Sequence, residues 1–477
     1  MKQYHRIIAS LFLTLLLSLT VFAPVQVKAD DQVTSFVTRL YQLCLDREPD
    51  AGGLRNWSNA LKAHTHTASQ VVQGFFESEE MLNRKLSDSD YIDRCYRVML
   101  NREPDESGKK TWMKARADGA SYDYILHGFT GSQEFIKICQ SYGIECGSID
   151  FSEFRDMNLS LTRFIQRLYA NVLGRTADTG GLNYWCGRII TKLKTPKYVA
   201  TTGFFHSQEY LGKQTDNNTF VVTCYKTFLN RDYDQGGYDY WMNRLNNGES
   251  RDVILAGFAD STEFAGIIEK SGWQATSAAY LNKEFSNVNS MLLLANKKHK
   301  LPSGYQPSDL RVPNTRANQT IYLRDEAATQ LEKMFNAAAA SGVYLVAGSG
   351  FRSESLQSSL YYGYVNSYGQ AAADGISSRP GYSDHQTGLA IDISDNSGAT
   401  YLTTEFEGTV EGAWLKNHAH EYGYIMRYPK GKSSVTGYNY EPWHFRYVGV
   451  DYATAIYSVD VWNTFEEYFG VEGGDYR

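Results

Sequence analysis

Four stretches of the chain carry the same spacing of apolar and polar positions. A Tyr is followed four residues later by a Leu at Tyr41/Leu45, Tyr96/Leu100, Tyr169/Leu173 and Tyr225/Leu229, a spacing that sets both side chains on one helix face. Each pair leads into Arg-x-x-Asp-x-x-Gly-x-x-x-Trp: Arg47/Asp50/Gly53/Trp57, Arg102/Asp105/Gly108/Trp112, Arg175/Asp178/Gly181/Trp185 and Arg231/Asp234/Gly237/Trp241. Gly-Phe-x-x-Ser-x-Glu follows at Gly74–Glu80, Gly128–Glu134, Gly203–Glu209 and Gly257–Glu263. A unit therefore reads as helix, turn, helix, then a third helix with its own cap. Steps of 55, 73 and 56 residues between the arginines sort the four units into two pairs. Beyond Trp273 the pattern changes. Pro302, Pro307 and Pro313 mark an extended entry, Glu326–Ala340 predicts a helix that stops at Ser341-Gly342, and Val343–Ala347 predicts a short strand. Leu389, Ala390, Ile391 and Ile393 surround Asp392 and predict a buried strand.

The opening is different again. Lys2, His5 and Arg6 precede the apolar run Ile7–Val21, and Val27-Lys28-Ala29 offers a small-x-small cleavage pattern. The run is about 15 residues and is interrupted by Thr14, Ser18 and Thr20, short of the ~20 that a membrane-spanning helix needs. A cleaved secretory signal over residues 1–29 is the expectation, with no transmembrane segment after cleavage and a secreted or wall-associated location. No Cys stands just after the cut to carry a lipid. The organisation expected is then a repeat pair at 30–148, a second at 149–275, a chemistry-bearing domain at 276–460 and a C-terminal tail at 461–477.

Charge narrows the partners. Losing Lys2, Arg6 and Lys28 takes the basic count from 47 to 44 against 53 acidic residues, so nothing basic enough to hold nucleic acid or anionic lipid is present. Aromatic residues are 14% of the chain, 35 of them Tyr, which suits either packing or stacking on sugars; the helical spacing of the recurrent ones favours packing. All six cysteines, Cys44, Cys95, Cys139, Cys146, Cys186 and Cys224, lie in the repeat half. In an exported chain an even count predicts disulfides, and the expected pairs are Cys139–Cys146, Cys44–Cys95 and Cys186–Cys224; the alternative is six buried thiols. The motif aspartates suit helix caps, and each copy offers too few oxygens for a calcium loop. The units resemble a short helical repeat domain of unknown function found on bacterial surface and secreted proteins, which implies attachment or protein contact.

Candidate chemistry gathers in the second half. Ser349-Gly350-Phe351-Arg352-Ser353 with Gln357, Ser383-Asp384-His385-Gln386-Thr387-Gly388-Leu389-Ala390-Ile391-Asp392, and Glu441-Pro442-Trp443-His444 form a metal-site constellation. His385, Asp392 and His444 would give three protein ligands and leave one position open, as a hydrolytic Zn²⁺ requires. Glu441 is the candidate general base. A buried, unpaired Asp392 would cost several kcal/mol, which a metal would offset. Pro442 rules out a helical His-Glu-x-x-His arrangement. No Gly-x-Ser-x-Gly or Ser-x-x-Lys pattern accompanies these residues, so a catalytic serine is not expected.

These motifs, with Arg379–Tyr382, Tyr422–Pro429 and Phe445–Gly449, resemble the zinc D-alanyl-D-alanine carboxypeptidases of the VanY type and their LD-carboxypeptidase relatives, over roughly residues 285–455. Phe351 stands where that family often has Tyr, and Asp384 where Glu is common; neither removes a ligand. The resemblance implies a multidomain chain of all-α repeats followed by an α+β zinc peptidase domain with a mostly antiparallel sheet. It further implies one Zn²⁺ on His385, Asp392 and His444, Glu441 as base, and Arg352 as catalytic and substrate-binding guanidinium. Gln357 and Ser383 are further substrate-contact candidates. The implied substrate is the peptidoglycan stem peptide, losing a terminal D-alanine. L,D cleavage, endopeptidase action on the wall, and a wall-binding protein without activity are the alternatives.

Overall fold

The computed structural model describes residues 29–476, so all but the last residue of the expected signal segment lies outside the described residues. The described residues divide into two compact units that meet in sequence at Phe151/Ser152. Among the described residues no helix is long and apolar enough to cross a membrane.

Both units use the same repeat, and its recurrent polar residues are spent inside it. Asp50, Asp105, Asp178 and Asp234 cap the Trp-bearing helices, each accepting from the backbone N–H of the motif glycine at 2.7–2.8 Å. A Cβ on any of those glycines would overlap the hydroxyl of the repeat's own Tyr41, Tyr96, Tyr169 or Tyr225. The motif arginines lie over those Tyr rings at 4.9–5.1 Å. They also pair with the Glu that ends each unit, Arg47–Glu80 at 3.1 Å, Arg102–Glu134 at 2.8 Å, Arg175–Glu209 at 2.7 Å and Arg231–Glu263 at 2.8 Å. The Gly-Phe residues lie in a third helix of their own, and the motif serines, Ser78, Ser132, Ser207 and Ser261, cap the helix after it, so each unit has four helical segments where the sequence pattern predicts three.

Gly128 faces the ring of Trp112 so closely that a Cβ would collide with it. Gly128→Val is therefore expected to destabilise the first unit by about 1–3 kcal/mol. Gly266 lies inside the helix Thr262–Lys270 with open space around it, and Gly266→Ala should stabilise by about 0.4–1 kcal/mol. Chemical denaturation of both variants checks the contrast; equal effects would show that ring contact does not set the requirement for glycine.

The expected disulfides are corrected by the packing. All six cysteines are free thiols, five buried and Cys146 partly so. Cys186 Sγ lies 3.6 Å from Thr162 Oγ1, and the Cys146 thiol lies 3.6 Å from the Thr130 carbonyl. Burial pushes the Cys44 and Cys186 thiols up to about 12. These side chains fill repeat cores, where small apolar groups suffice.

In the second unit the helix Trp273–Ser286 runs from the repeat core into the α+β domain. Trp273 belongs to the repeat cluster, while Leu281 and Phe285 pack with Phe465 and Phe469. Ser277 Oγ donates to the Ile190 carbonyl at 2.6 Å, and the Tyr468 hydroxyl donates to the Lys192 carbonyl at 2.7 Å. The second repeat pair is thus continuous with the α+β domain, with the expected boundary at 275/276 falling inside a helix. Phe465 and Phe469, from the expected C-terminal tail, are thereby built into the domain core.

Among the described residues six strands form the sheets: β1 (Leu310–Arg311), β2 (Leu323–Arg324), β3 (Val346–Ser349), β4 (Ala390–Ser394), β5 (Tyr424–Tyr428) and β6 (Glu441–Tyr447). β1 and β2 pair with each other, and the other four form an antiparallel sheet in the order β3-β4-β6-β5. Strand alternation divides β4 and β6 by chemistry. Ile391, Ile393, Phe445 and Tyr447 join Ala327, Leu331 and Met334 of the helix Asp325–Ala340 in one core. Asp392, His444 and Arg446 point to the opposite face.

Candidate active site and metal centre

Register brings the site together. Ser349 of β3 stands opposite Asp392 of β4, and Asp392 stands opposite His444 of β6. His385 arrives from the tight turn Asp384–Thr387, which ends at Gly388 with a φ of +70° just before β4; a side chain there would be strained. Glu441 opens β6 opposite Tyr428 of β5.

His385, Asp392 and His444 each turn one donor atom to a common point, all within 4.8 Å of one another. His385 Nε2 is 3.3 Å from Asp392 Oδ2, and His444 Nδ1 is 3.2 Å from Asp392 Oδ1. All three are buried, and Asp392 Oδ1 accepts no hydrogen bond. A solvent-shielded carboxylate oxygen without a donor, flanked by two imidazoles, suits a divalent cation of the zinc type. Glu441 Oε2 is 3.6 Å from His444 Nδ1, beside this group.

The electrostatics follow from burial and opposed charges. Burial drives the His385 imidazole down, toward the neutral form that ligates metal. Burial acts the same way on His444, but the carboxylates of Asp384 and Asp392 outweigh it and hold that ring up at about 9. Burial would raise Asp392, yet His385 and His444 keep its carboxyl well below the usual range. Glu441 is pushed up to about 7 by burial, against the pull of His444 and Arg352.

These residues line a cleft of about 740 Å³ that Arg352, Ser383, Tyr401 and Trp443 also face. Arg352 follows β3. Its Nη1 donates to Gln357 Oε1 at 2.8 Å and its Nη2 to Ser349 Oγ at 3.2 Å, which aims the guanidinium while leaving it donors to spare. Ser383 lines the cleft as expected of a substrate contact. Gln357 does not: it is fully buried, outside the cleft lining, and its amide nitrogen donates to Ser377 Oγ at 3.0 Å and the Ser378 carbonyl at 2.6 Å. The geometry corrects it from substrate contact to support for Arg352.

Sequence reasoning missed Asp384 as a site residue. Its side chain is fully buried, with Oδ2 at 3.4 Å from His444 Nε2 and Oδ1 bonded by Arg446. The one available signal was a charged residue inside a motif otherwise bound for the interior.

Two imidazoles and a carboxylate on one face of an antiparallel sheet, with a second carboxylate beside them and an arginine lining the same cleft, are the groups that a carboxypeptidase of the hydrolase class would use. The family described as VanY, D-alanyl-D-alanine carboxypeptidase, matches residues 320–450. A domain of unknown function, DUF4214, matches four times, over residues 24–85, 82–139, 146–213 and 204–268. The Bacillus subtilis (strain 168) protein YodJ, a carboxypeptidase by name, is 43% identical over 188 residues, covering 38% of this chain and 68% of the relative. The bifunctional D-Ala-D-Ala dipeptidase and D-Ala-D-Ala carboxypeptidase VanXYC of Enterococcus gallinarum is 34% identical over 180 residues, 37% of this chain and 92% of that one. Among solved structures, the LD-carboxypeptidase LdcB is 42% identical, covering 39% of this chain and 89% of its own, with a TM-score of 0.37. The chain belongs to the VanY family of carboxypeptidases, and its N-terminal half consists of DUF4214 repeats.

Proposed function

We propose that the protein is an exported zinc D-alanyl-D-alanine carboxypeptidase that removes the terminal D-alanine from peptidoglycan stem peptides. The convergence of His385, Asp392 and His444 beside Glu441, at the floor of an open cleft, carries this reading. Zn²⁺ on those three residues would supply Lewis-acid polarisation of the scissile carbonyl and make water acidic near neutral pH. Glu441 accepts the proton of the attacking water and returns it to the departing amine. Arg352 offers its unspent N–H groups to the developing oxyanion or to the substrate's terminal carboxylate. The neutral tautomer of His385 is set by the Gly350 carbonyl, 2.8 Å from Nδ1.

The test is digestion of a pentapeptide stem ending in D-Ala-D-Ala, with and without a chelator, reading products by mass. Loss of one D-alanine, abolished by chelation and restored by Zn²⁺, is expected. Cleavage of the tetrapeptide stem alone would assign L,D specificity, and internal cleavage an endopeptidase; either outcome overturns the D,D reading.

Export rests on residues 1–29, and recovery of a chain beginning at Asp30 from culture medium checks it; a cell-retained chain that keeps Met1 refutes it. We assign the repeats to wall or surface-protein attachment. Among the described residues, 29–151 form a compact unit of their own. Sedimentation of the intact chain with insoluble peptidoglycan and with whole cells tests attachment, and a chain left in the supernatant by both removes it.

A further inference from the structure

The two histidines of the metal site are held in different ways. His385 Nδ1 lies 2.8 Å from the Gly350 carbonyl, which leaves Nε2 for the shared point. In His444 the roles of the nitrogens are exchanged: Nδ1 faces Asp392 and Nε2 lies 3.4 Å from Asp384 Oδ2. A ligating imidazole needs an acceptor for its other N–H, and that acceptor sets both the tautomer and the ring angle. For His444 the acceptor is a carboxylate.

Asp384 is itself held on its far side. Arg446, fully buried, bonds Asp384 Oδ1 and anchors its remaining donors on the carbonyls of Tyr447 at 2.8 Å, Leu293 at 2.7 Å and Met291 at 3.2 Å. Arg427 Nε stands 3.7 Å from Asp384 Oδ2. Arg427 is in turn gripped by both oxygens of Glu466 at 2.6 and 2.7 Å, and Glu466 Oε1 accepts from Asn296 Nδ2 at 3.0 Å. Two carboxylates and two guanidiniums thus run, without solvent, from the C-terminal helix Phe465–Phe469 to one metal ligand. Burying four charges is costly, and apolar residues of similar volume often do as well for stability alone. An arrangement that ends on the unused nitrogen of a metal ligand has a positional use.

We propose that Asp384 is a positioning residue: it accepts the Nε2–H of His444, fixes that tautomer and thereby presents Nδ1 to the metal, with Arg446 and the Arg427–Glu466 pair fixing Asp384. The proposal rests on the metal reading above and adds which nitrogen is used and what aims it.

Two measurements on the full chain test it. In the zinc-loaded wild type, long-range ¹H–¹⁵N correlation of the histidine rings should show the His444 proton on Nε2 and the metal on Nδ1. For Asp384→Asn, competition with a chromophoric chelator should show zinc affinity lowered by about 10–100-fold, at an unfolding midpoint for the zinc-free chain that stays above the assay temperature. Metal on Nε2 of His444 overturns the proposal, as does a folded Asp384→Asn chain that binds zinc as tightly as wild type. If that variant fails to fold, the wild-type tautomer decides alone. A wild type that binds no zinc overturns the metal reading, and this inference with it; a wild type that binds zinc through the other nitrogen overturns this inference only.

Discussion

Glu441→Gln will lower kcat by roughly 10²–10⁴-fold and leave zinc bound. The carboxylate stands at the first residue of β6, 3.6 Å from His444 Nδ1, and is not one of the three grouped donors. Burial pushes its carboxyl up to about 7, where a group can both take and return a proton at neutral pH. Gln keeps the shape and the cleft lining but cannot accept a proton, so the loss should fall on kcat rather than on KM. Turnover on the pentapeptide stem, with zinc content measured on the same sample, checks this. Wild-type turnover in the zinc-replete variant would remove Glu441 as the base.

Glu466→Ala is expected to be the most destabilising single change outside the apolar cores, costing about 3–5 kcal/mol. It strips a fully buried Arg427 of the two hydrogen bonds at 2.6 and 2.7 Å that compensate its charge. An exposed pair behaves differently. Asp260→Asn breaks the Lys197–Asp260 contact at 2.7 Å, where both side chains are about half exposed, and should change stability by less than about 1 kcal/mol. Denaturant titration of the two variants against wild type measures both; a Glu466→Ala chain within 1 kcal/mol of wild type would show that water reaches Arg427.

Much of the architecture was readable because it is local. A Tyr and a Leu four apart, an Asp three before a Gly, and a Gly that meets the repeat's own Trp are contacts within one helical unit, so repetition of the residues announces repetition of the fold. The candidate metal donors were readable for a related reason. His385 and Asp392 are seven residues apart across one turn and one strand, and the apolar neighbours of Asp392 mark that strand as interior, where a bare carboxylate is costly.

The cysteines, Gln357 and Asp384 were less legible. Thiols that fill helical cores and thiols that form bridges look alike along the chain, because pairing depends on the distance between helices. Gln357 lies five residues after Arg352, in the helix Glu354–Tyr368, and only the packing of Ser377 and Ser378 against it shows that its amide is already used. Asp384, Arg427, Arg446 and Glu466 come from a turn, two strands and a C-terminal helix, and no spacing within one element connects them.

Residue identity alone thus specified the helical repeats, the buried strand and the candidate residues His385, Asp392, His444 and Glu441, since each depends on neighbours within a few residues or on the solvation cost of a single group. The register of β3, β4 and β6, the pair of guanidiniums behind Asp384 and the nitrogen that His444 turns to the site were settled by tertiary packing. They depend on which distant segments meet in the absence of water, and there each charge has to find its partner.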